Sequence, residues 1–203
     1  NNGGTGIAGL FAAPECAGNV DGANRLAGSG IAATQVFGAR AGCAASRWAS
    51  ENALLEMDVT SLAEETERVR CRLASAESAT NRATAADLPQ LRRRLQESVQ
   101  RYAGVSRNQA GLGLLREEAR QIRSALQGKQ VADHKIFNQA LLDLLQLETL
   151  CEVAELVAGS ALLREESRGH HYRSDFPQTS KRWLCHTSVV RDGGTAQFKP
   201  KPL

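Results

Sequence analysis

Apolar residues recur every three or four positions along most of the chain beyond residue 58, a spacing that places them on one face of an α-helix. Three amphipathic helices are predicted on this basis, in the stretches 58–78, 87–105 and 111–128. Proline in the first turn of the second stretch, Pro89, and glycines at the ends of the second and third, Gly104 and Gly128, are typical helix boundary signals.

The stretch 137–169 differs because it is apolar around most of its circumference. A helix of this kind needs neighbours on several sides. We therefore expect it to be the central, most buried helix, through Leu141, Leu144, Leu145, Cys151 and Leu156. The predicted fold class is mainly α, with a bundle of three to four helices over residues 51–168.

Residues 1–50 do not show this helical spacing of apolar residues over most of their length. A short apolar stretch centred on Leu10 to Ala13 is predicted to be a strand inside a sheet, since both of its faces are apolar. No partner strands can be identified in the sequence. A glycine-rich loop follows, and then an alanine-rich helix from Gly30 to about Trp48, whose small residues would let it pack closely against a neighbour.

The tail, residues 169–203, has little periodicity. Two strands are predicted in it, "CHTSVVRD" and "TAQFKP", joined by a "DGG" turn into a β-hairpin. The chain is thus expected to comprise the end of an α/β domain, a helical bundle and a loop and hairpin tail.

Composition narrows the function classes. Lys and Arg number 25 against 22 Asp and Glu, with both signs mixed along the helices, a balance that does not predict binding to nucleic acid or insertion into a membrane. The five cysteines show no paired spacing, which favours free thiols in a cytoplasmic protein over disulfides or a zinc site. No His, Cys or acidic residues have metal-ligand spacing, so no metal is expected.

Three stretches, taken in order, carry a resemblance: "GLFAAPECAGNVDGANRLAGSGIAATQVFGARAG", "LRRRLQESVQRYAGVSRNQAGL" and "ALLREESRGHHYRSDFPQTSKRWLCHT". They resemble the C-terminal part of the flavoprotein subunits of succinate dehydrogenase and fumarate reductase, a superfamily that includes L-aspartate oxidase and adenylylsulfate reductase. The pairing of a "GANRL" loop with a distant "SRGxHYRxDFP" motif is the specific part of the match, which covers nearly the whole chain.

The resemblance implies that residues 1–50 are the end of an FAD-binding domain that acts on a dicarboxylate. Arg25, in "GANR", matches the family's arginine for a substrate carboxylate, and a guanidinium presents a planar fork to such a group. Glu15 matches the glutamate that accepts hydrogen bonds from the FAD ribose. Ser29, Gly30 and Ile31 match the residues at a helix start that lie against the pyrimidine edge of the flavin.

Other parts of the family pattern differ or are not present. Pro14 stands where glycine is common, Asp21 replaces a histidine before "GANR", and "GSGI" replaces the usual helix entry, so the substrate's identity is open. The "GxGxxG" fingerprint and the capping domain with the proton donor are expected upstream of these residues, on the same flavoprotein. We therefore expect the 203-residue chain alone to be inactive and not to retain FAD.

The motif "SRGHHYRSDFP" is expected to have a structural role. His171 is predicted to tie the tail to the FAD-binding domain, with Arg168 and Arg173 bound to backbone carbonyls or acids and His170 on the surface. Arginines and glutamates in "REEARQIR" predict ion pairs along the surface of one helix.

Two classes of function remain open. The first is the C-terminal part of an FAD-dependent oxidoreductase of the succinate dehydrogenase or fumarate reductase type, or of an L-aspartate oxidase or adenylylsulfate reductase. Its expected partners are the N-terminal and capping regions and an iron–sulfur subunit, and its expected location is the cytoplasmic face of a membrane complex. The second is a non-catalytic helical module that binds a partner protein.

Overall fold

The helices and strands of the chain follow the sequence pattern closely after residue 86 and less closely before it. The computed structural model describes residues 2–18, 21–53, 56, 58–74, 87–134 and 136–203. The elements are α1 Ser29–Glu51, α2 Val59–Arg70, β1 Leu73–Ala74, α3 Asp87–Tyr102, α4 Gln109–Leu126, β2 Val131–Ala132, α5 Gln139–Leu163, a 3₁₀ turn Lys181–Trp183, β3 Cys185–Asp192 and β4 Thr195–Pro202. They divide into two compact units, Asn1–Asp58 and Val59–Leu203.

The core of the second unit lies between α3, α4 and α5. Side chains from each of the three helices form one apolar cluster, with Leu95 on α3, Leu115 and Ile122 on α4, and Leu144 and Leu147 on α5. This arrangement confirms the predicted helical bundle. The tail belongs to the same unit, so the bundle and the hairpin pack together.

Helix α5 contributes the most buried residues of the described helices, as its apolar circumference predicted. Leu144 and Cys151 are fully enclosed, whereas Leu141, Leu145 and Leu156 are half-buried. Burial raises the pKa of the Cys151 thiol to about 11, so it stays protonated at neutral pH. All five cysteines of the chain are free.

Capping residues explain where α4 and α5 begin and where α4 ends. Asn108 and Asn138 cap their N-termini, each accepting a hydrogen bond from a backbone N–H in the first turn. Helix α4 ends at Leu126, and Gly128 follows with a left-handed φ of 70°, the conformation that glycine adopts without a steric penalty.

The first predicted helix of the bundle is shorter than its pattern. Leu73, predicted on its apolar face, lies instead in β1, which pairs in parallel with β2. The reason is that the carbonyl of Arg72 accepts from Val131 N at 2.9 Å, which diverts the backbone from the helix. Residues 75–78 of the prediction lie outside the described residues.

The strand predicted around Leu10 to Ala13 does not form among the described residues. Only an isolated bridge joins Phe11 to Gly4, and Ala12 N donates to Gly3 O at 2.7 Å. A local turn therefore supplies the hydrogen bonds that were expected from a sheet. The alanine-rich helix is confirmed as α1, but Ala41 is its single buried residue.

The C-terminal hairpin is confirmed. β3 and β4 pair antiparallel from Cys185 opposite Pro202 to Asp192 opposite Thr195, with Gly193 and Gly194 forming the turn at positive φ. Among the described residues, every helix is too short or too polar to cross a lipid bilayer.

Candidate functional site

The glycine-rich loop before α1 brings two of the predicted site residues into contact. Arg25 Nη1 donates a hydrogen bond to Glu15 Oε2 at 2.8 Å. The two side chains retain 42% and 77% of their accessible surface. An ion pair this exposed is worth at most about 1 kcal/mol, so a competing carboxylate could displace Glu15 at little cost.

The same guanidinium lies against the first turn of α1. A side chain at Gly30 would bring a Cβ within 3.4 Å of Arg25 Nη1 and 3.5 Å of its Cζ. A Cβ at these distances would be in ordinary van der Waals contact, so the guanidinium lies directly beside the helix at Gly30 without requiring glycine there.

The start of α1 is itself suited to an anion. Gly28 occupies the N-cap position with φ 86°, and no side chain caps the helix. The first N–H groups of a helix have no partner within it and carry partial positive charge. Arg25 and the start of α1 therefore contribute positive potential at neighbouring positions, and Arg25 also holds the Glu15 carboxylate.

The remaining predicted residues are placed as follows. Ser29 donates from its hydroxyl to Leu26 O at 2.9 Å, and Ile31 is 78% exposed beside it on α1. Asp21 forms no ion pair with Arg25 among the described residues. Arg25 pairs with Glu15 instead.

This donor and acceptor set fits part of an FAD and dicarboxylate site. Glu15 can accept hydrogen bonds from two hydroxyl groups, the helix start can donate to a polar ring edge, and Arg25 can grip a carboxylate. All of these groups lie at an accessible surface of the first unit.

A second cluster of functional groups lies in the motif "SRGHHYRSDFP" and is closed to solvent. The carboxylate of Glu166 is completely buried and forms ion pairs with Arg164 and Arg168, and it also accepts from Ser180 N at 2.8 Å. Burial favours its neutral form, but the hydrogen bonds from Arg168, Ser180 and Arg164 outweigh that effect and hold the pKa of Glu166 below its usual value.

Arg173 is the most enclosed cation of the described residues, with 1% of its surface accessible. Its guanidinium forms two parallel hydrogen bonds with Asp175, at 2.7 and 2.8 Å, and a third to Ala161 O at 2.6 Å. The hydrogen bonds from Arg173 are the main cause that lowers the pKa of Asp175 to about 2. The expectation that Arg168 and Arg173 bind acids and carbonyls is confirmed.

Among the described residues, the His171 ring contacts the bundle, through Arg107 and Arg164, and not the FAD-binding domain to which it was predicted to tie the tail. Its Nδ1 lies 3.2 Å from Arg107 Nη1, and its Nε2 lies 3.1 Å from Arg164 O. A guanidinium can only donate, so Nδ1 accepts and Nε2 carries the proton. His170 is exposed, as predicted.

Sequence reasoning missed Glu166, Arg164 and Arg107 as members of this cluster. The available signal was the number of arginines around "SRGHHYR", which is too large for one short segment to expose without partners. It also misplaced the ion pairs of "REEARQIR": Arg120 and Arg123 bind Glu155 of α5, at 2.8 and 3.4 Å, and not an acid of their own helix.

Comparison with known protein families shows that residues 92–203 match the family described as the C-terminal part of the fumarate reductase flavoprotein. This region includes α4, α5, the buried arginine cluster and the hairpin.

Curated relatives extend the match toward the N-terminus. Over 88% of its length, the chain is 38% identical to a subunit of the fumarate reductase (CoM/CoB) of Methanothermobacter marburgensis, and it covers 31% of that protein. It is 33% identical to the fumarate reductase flavoprotein subunit of Mycobacterium tuberculosis, which matches all of the chain over 35% of its own length.

Among solved structures, the Escherichia coli quinol fumarate reductase, in a form with one substitution, superposes on 97% of this chain with a TM-score of 0.83 and 26% identity. The chain covers 34% of that structure's chain. The 203 residues thus span about a third of the length of the relatives they match.

Proposed function

Because the chain belongs to the fumarate reductase flavoprotein family, we propose that it is the C-terminal part of an FAD-dependent oxidoreductase that interconverts succinate and fumarate or acts on a similar dicarboxylate. The observation that supports this most is the position of Arg25. Its guanidinium lies against the first turn of α1, whose start has no side-chain cap, and it pairs with the carboxylate of Glu15.

In this proposal, Arg25 exchanges Glu15 for one carboxylate of the substrate. The exchange replaces an exposed, weak ion pair by a pair inside a closed site, where a charge-assisted hydrogen bond is stronger. Fixing the carboxylate orients the reacting carbon atoms, which is how a binding residue remote from the bond change accelerates the reaction.

Glu15, once released, is free to accept hydrogen bonds from the ribose of FAD. Ser29, Gly30 and Ile31 would lie against the pyrimidine edge, where the N-terminus of α1 favours negative charge. Bound FAD supplies the hydride transfer chemistry that amino acid side chains lack.

The proposed function requires the rest of the flavoprotein and a second protein that exchanges electrons with the flavin. Leu26 and Ile31, flanking the helix start, are 81% and 78% exposed, as expected of residues that contact the FAD-binding and capping regions. The Methanothermobacter relative is named as one subunit of its enzyme, which supports the expectation of a partner subunit here. That this partner carries iron–sulfur clusters is implied by the resemblance. Five free thiols support a cytoplasmic location, and a position at a membrane complex is again what the resemblance implies.

Substitution of Arg25 in the intact flavoprotein tests this function. We expect Arg25→Gln to lower kcat/KM for fumarate by about a hundredfold to a thousandfold, the usual effect of removing one preorganised charged donor. Arg25→Lys keeps the charge but not the fork, so its loss should be smaller. Steady-state kinetics with a reduced dye as electron donor measures both, and visible flavin absorbance measures bound FAD.

Arg47→Gln is the matched control, because Arg47 is an exposed arginine on α1, the helix that follows the loop of Arg25. It should leave both kinetics and flavin content unchanged. Full turnover by an Arg25→Gln protein that retains its FAD would contradict the assignment of Arg25.

A further inference from the structure

A cavity of about 450 Å³ opens between α4, α5 and the hairpin. Four arginines line it, Arg116, Arg120 and Arg123 from α4 and Arg191 from β3. The acids in its wall are Glu152 and Glu155. The cavity therefore carries two positive charges in excess.

Three of these arginines are already paired. The carboxylate oxygens of Glu155 lie 2.8 Å from a guanidinium nitrogen of Arg120 and 3.4 Å from one of Arg123. Glu152 pairs with Arg191 in the same way, at 2.7 Å. Glu155 is shared by two guanidiniums and keeps 13% of its surface accessible. Each guanidinium has five N–H donors, so these pairs leave donors available to a ligand.

Arg116 has no such partner. Its guanidinium forms no hydrogen bond or ion pair with any residue that the structure describes, and its Nε atom is buried and unsatisfied. Its one described contact is with the ring of Phe198, whose centroid lies 5.9 Å from Cζ. A buried donor without an acceptor is unusual in a folded protein and indicates a missing partner group.

The pocket is also held in place. Phe198 packs on Gly159 of α5, where a Cβ would come within 2.3 Å of the ring. The ring therefore fixes the hairpin against the helix and supports Arg116 from one side. The pocket walls are set by packed elements and not by mobile side chains alone.

We propose that this pocket binds a small anion that carries at least two negative charges on carboxylate or phosphate groups. The excess charge of the wall matches a dianion, and guanidinium forks bind both kinds of group in a bidentate manner. The volume lies in the range of small-molecule sites. This site is independent of the proposed reaction at Arg25 and would act as a regulatory or stabilising site in the bundle.

Calorimetric titration of the 203-residue chain tests the proposal. Citrate and pyrophosphate are the two probes, one for each source of charge, and acetate at the same ionic strength is the monovalent control. We expect saturable binding of at least one probe and none of acetate. Binding of one probe only would assign the site to carboxylates or to phosphates.

Arg116→Gln should weaken that binding by at least roughly tenfold, since charge-assisted hydrogen bonds are among the strongest in proteins. Arg116→Lys, which keeps the charge without the fork, should fall between this variant and the wild type. Arg94→Gln is the matched control: it removes the same charge from a half-exposed arginine on α3 that pairs with Glu118. Circular dichroism checks that each variant is folded.

Equal affinity of the Arg116→Gln and Arg94→Gln chains for the probes would overturn the proposal, because net charge alone would then explain the binding. Absence of saturable binding to the wild type would overturn it as well.

Discussion

The buried charges of the tail motif form ion pairs with residues two positions away and hydrogen bonds with groups farther along the chain. Glu166 has two arginines within two residues of it, whereas Arg173 reaches back to Ala161 at the end of α5. The sequence predicted the kind of partner for Arg168 and Arg173, since a charge in a motif of this composition needs one. It could not predict which atoms, because the tail turns back onto α5.

His171 gives a prediction at the scale of one residue. Burial lowers its pKa, and the positive charges of Arg107, Arg173 and Arg164 lower it further, against the hydrogen bond to Arg164 O. The folded protein therefore resists protonation of His171, whereas the unfolded chain accepts a proton near the ordinary value of 6.5. Stability from this group is present above that value and is lost as the pH falls below it.

We expect the free energy of unfolding to fall by on the order of 1 kcal/mol between about pH 7.5 and pH 5.5 because of His171. Urea unfolding at the two pH values measures this slope. His171→Gln should be less stable but should lose most of the pH dependence, and His170→Gln, at the exposed neighbour, should keep it. A slope unchanged in His171→Gln would show that another group is responsible.

Arg116 shows where residue-level reasoning from sequence stops. Its helix has the charge pattern of a solvated surface, and nothing in "LLREEARQIR" distinguishes Arg116 from Arg120. The difference arises because α5 places Glu155 within reach of Arg120 and Arg123, and none of the described acids within reach of Arg116. Only the packing of α4 on α5 reveals it.

At the scale of elements, the contact between α5 and β4 depends on one small residue. Gly159 lies in the interior of α5, where glycine normally costs stability relative to alanine. Here the Phe198 ring occupies the space that a Cβ would need, with three ring atoms less than 3 Å from it. Glycine is therefore required for the hairpin to dock on the helix.

We predict that Gly159→Ala destabilises the protein by about 1–2 kcal/mol, because overpacking outweighs the gain in helix propensity. Gly113→Ala is the control: this exposed glycine lies inside α4, and no atom comes within 4 Å of the position that a Cβ would take, so alanine there should stabilise by up to about 1 kcal/mol. Thermal unfolding of both variants measures the difference. Equal effects of the two substitutions would contradict the docking role of Gly159.

The elements that the sequence predicted well are those whose stability is local or strongly periodic. Helices α3, α4 and α5 and the hairpin follow from apolar spacing and glycine signals. The strand predicted around Leu10 needs partner strands that an apolar run does not supply, and among the described residues a turn with Gly3 satisfies the backbone instead. Leu73 was misplaced because its pairing with Val131 joins positions far apart in sequence.

At the scale of the whole molecule, the apolar core and the candidate reaction site belong to different units. The core cluster lies within α3, α4, α5 and the segments around them, whereas Glu15 and Arg25 lie in the unit Asn1–Asp58. The family resemblance predicted this separation, because it assigns the "GANRL" motif to the end of an FAD-binding domain and the "SRGxHYR" motif to the tail. Periodicity alone predicted the bundle but no chemistry.

We propose that the flavoprotein of which this chain is part reduces fumarate or oxidises succinate. The most direct measurement is turnover of the purified intact flavoprotein, with FAD bound, against fumarate with a reduced dye and against succinate with an oxidised dye. L-aspartate and adenylylsulfate serve as the competing substrates, and the 203-residue chain alone as the comparison. We predict turnover with fumarate or succinate by the intact protein and none by the chain alone; turnover with L-aspartate or adenylylsulfate only, or with no substrate although FAD is bound, would contradict the claim.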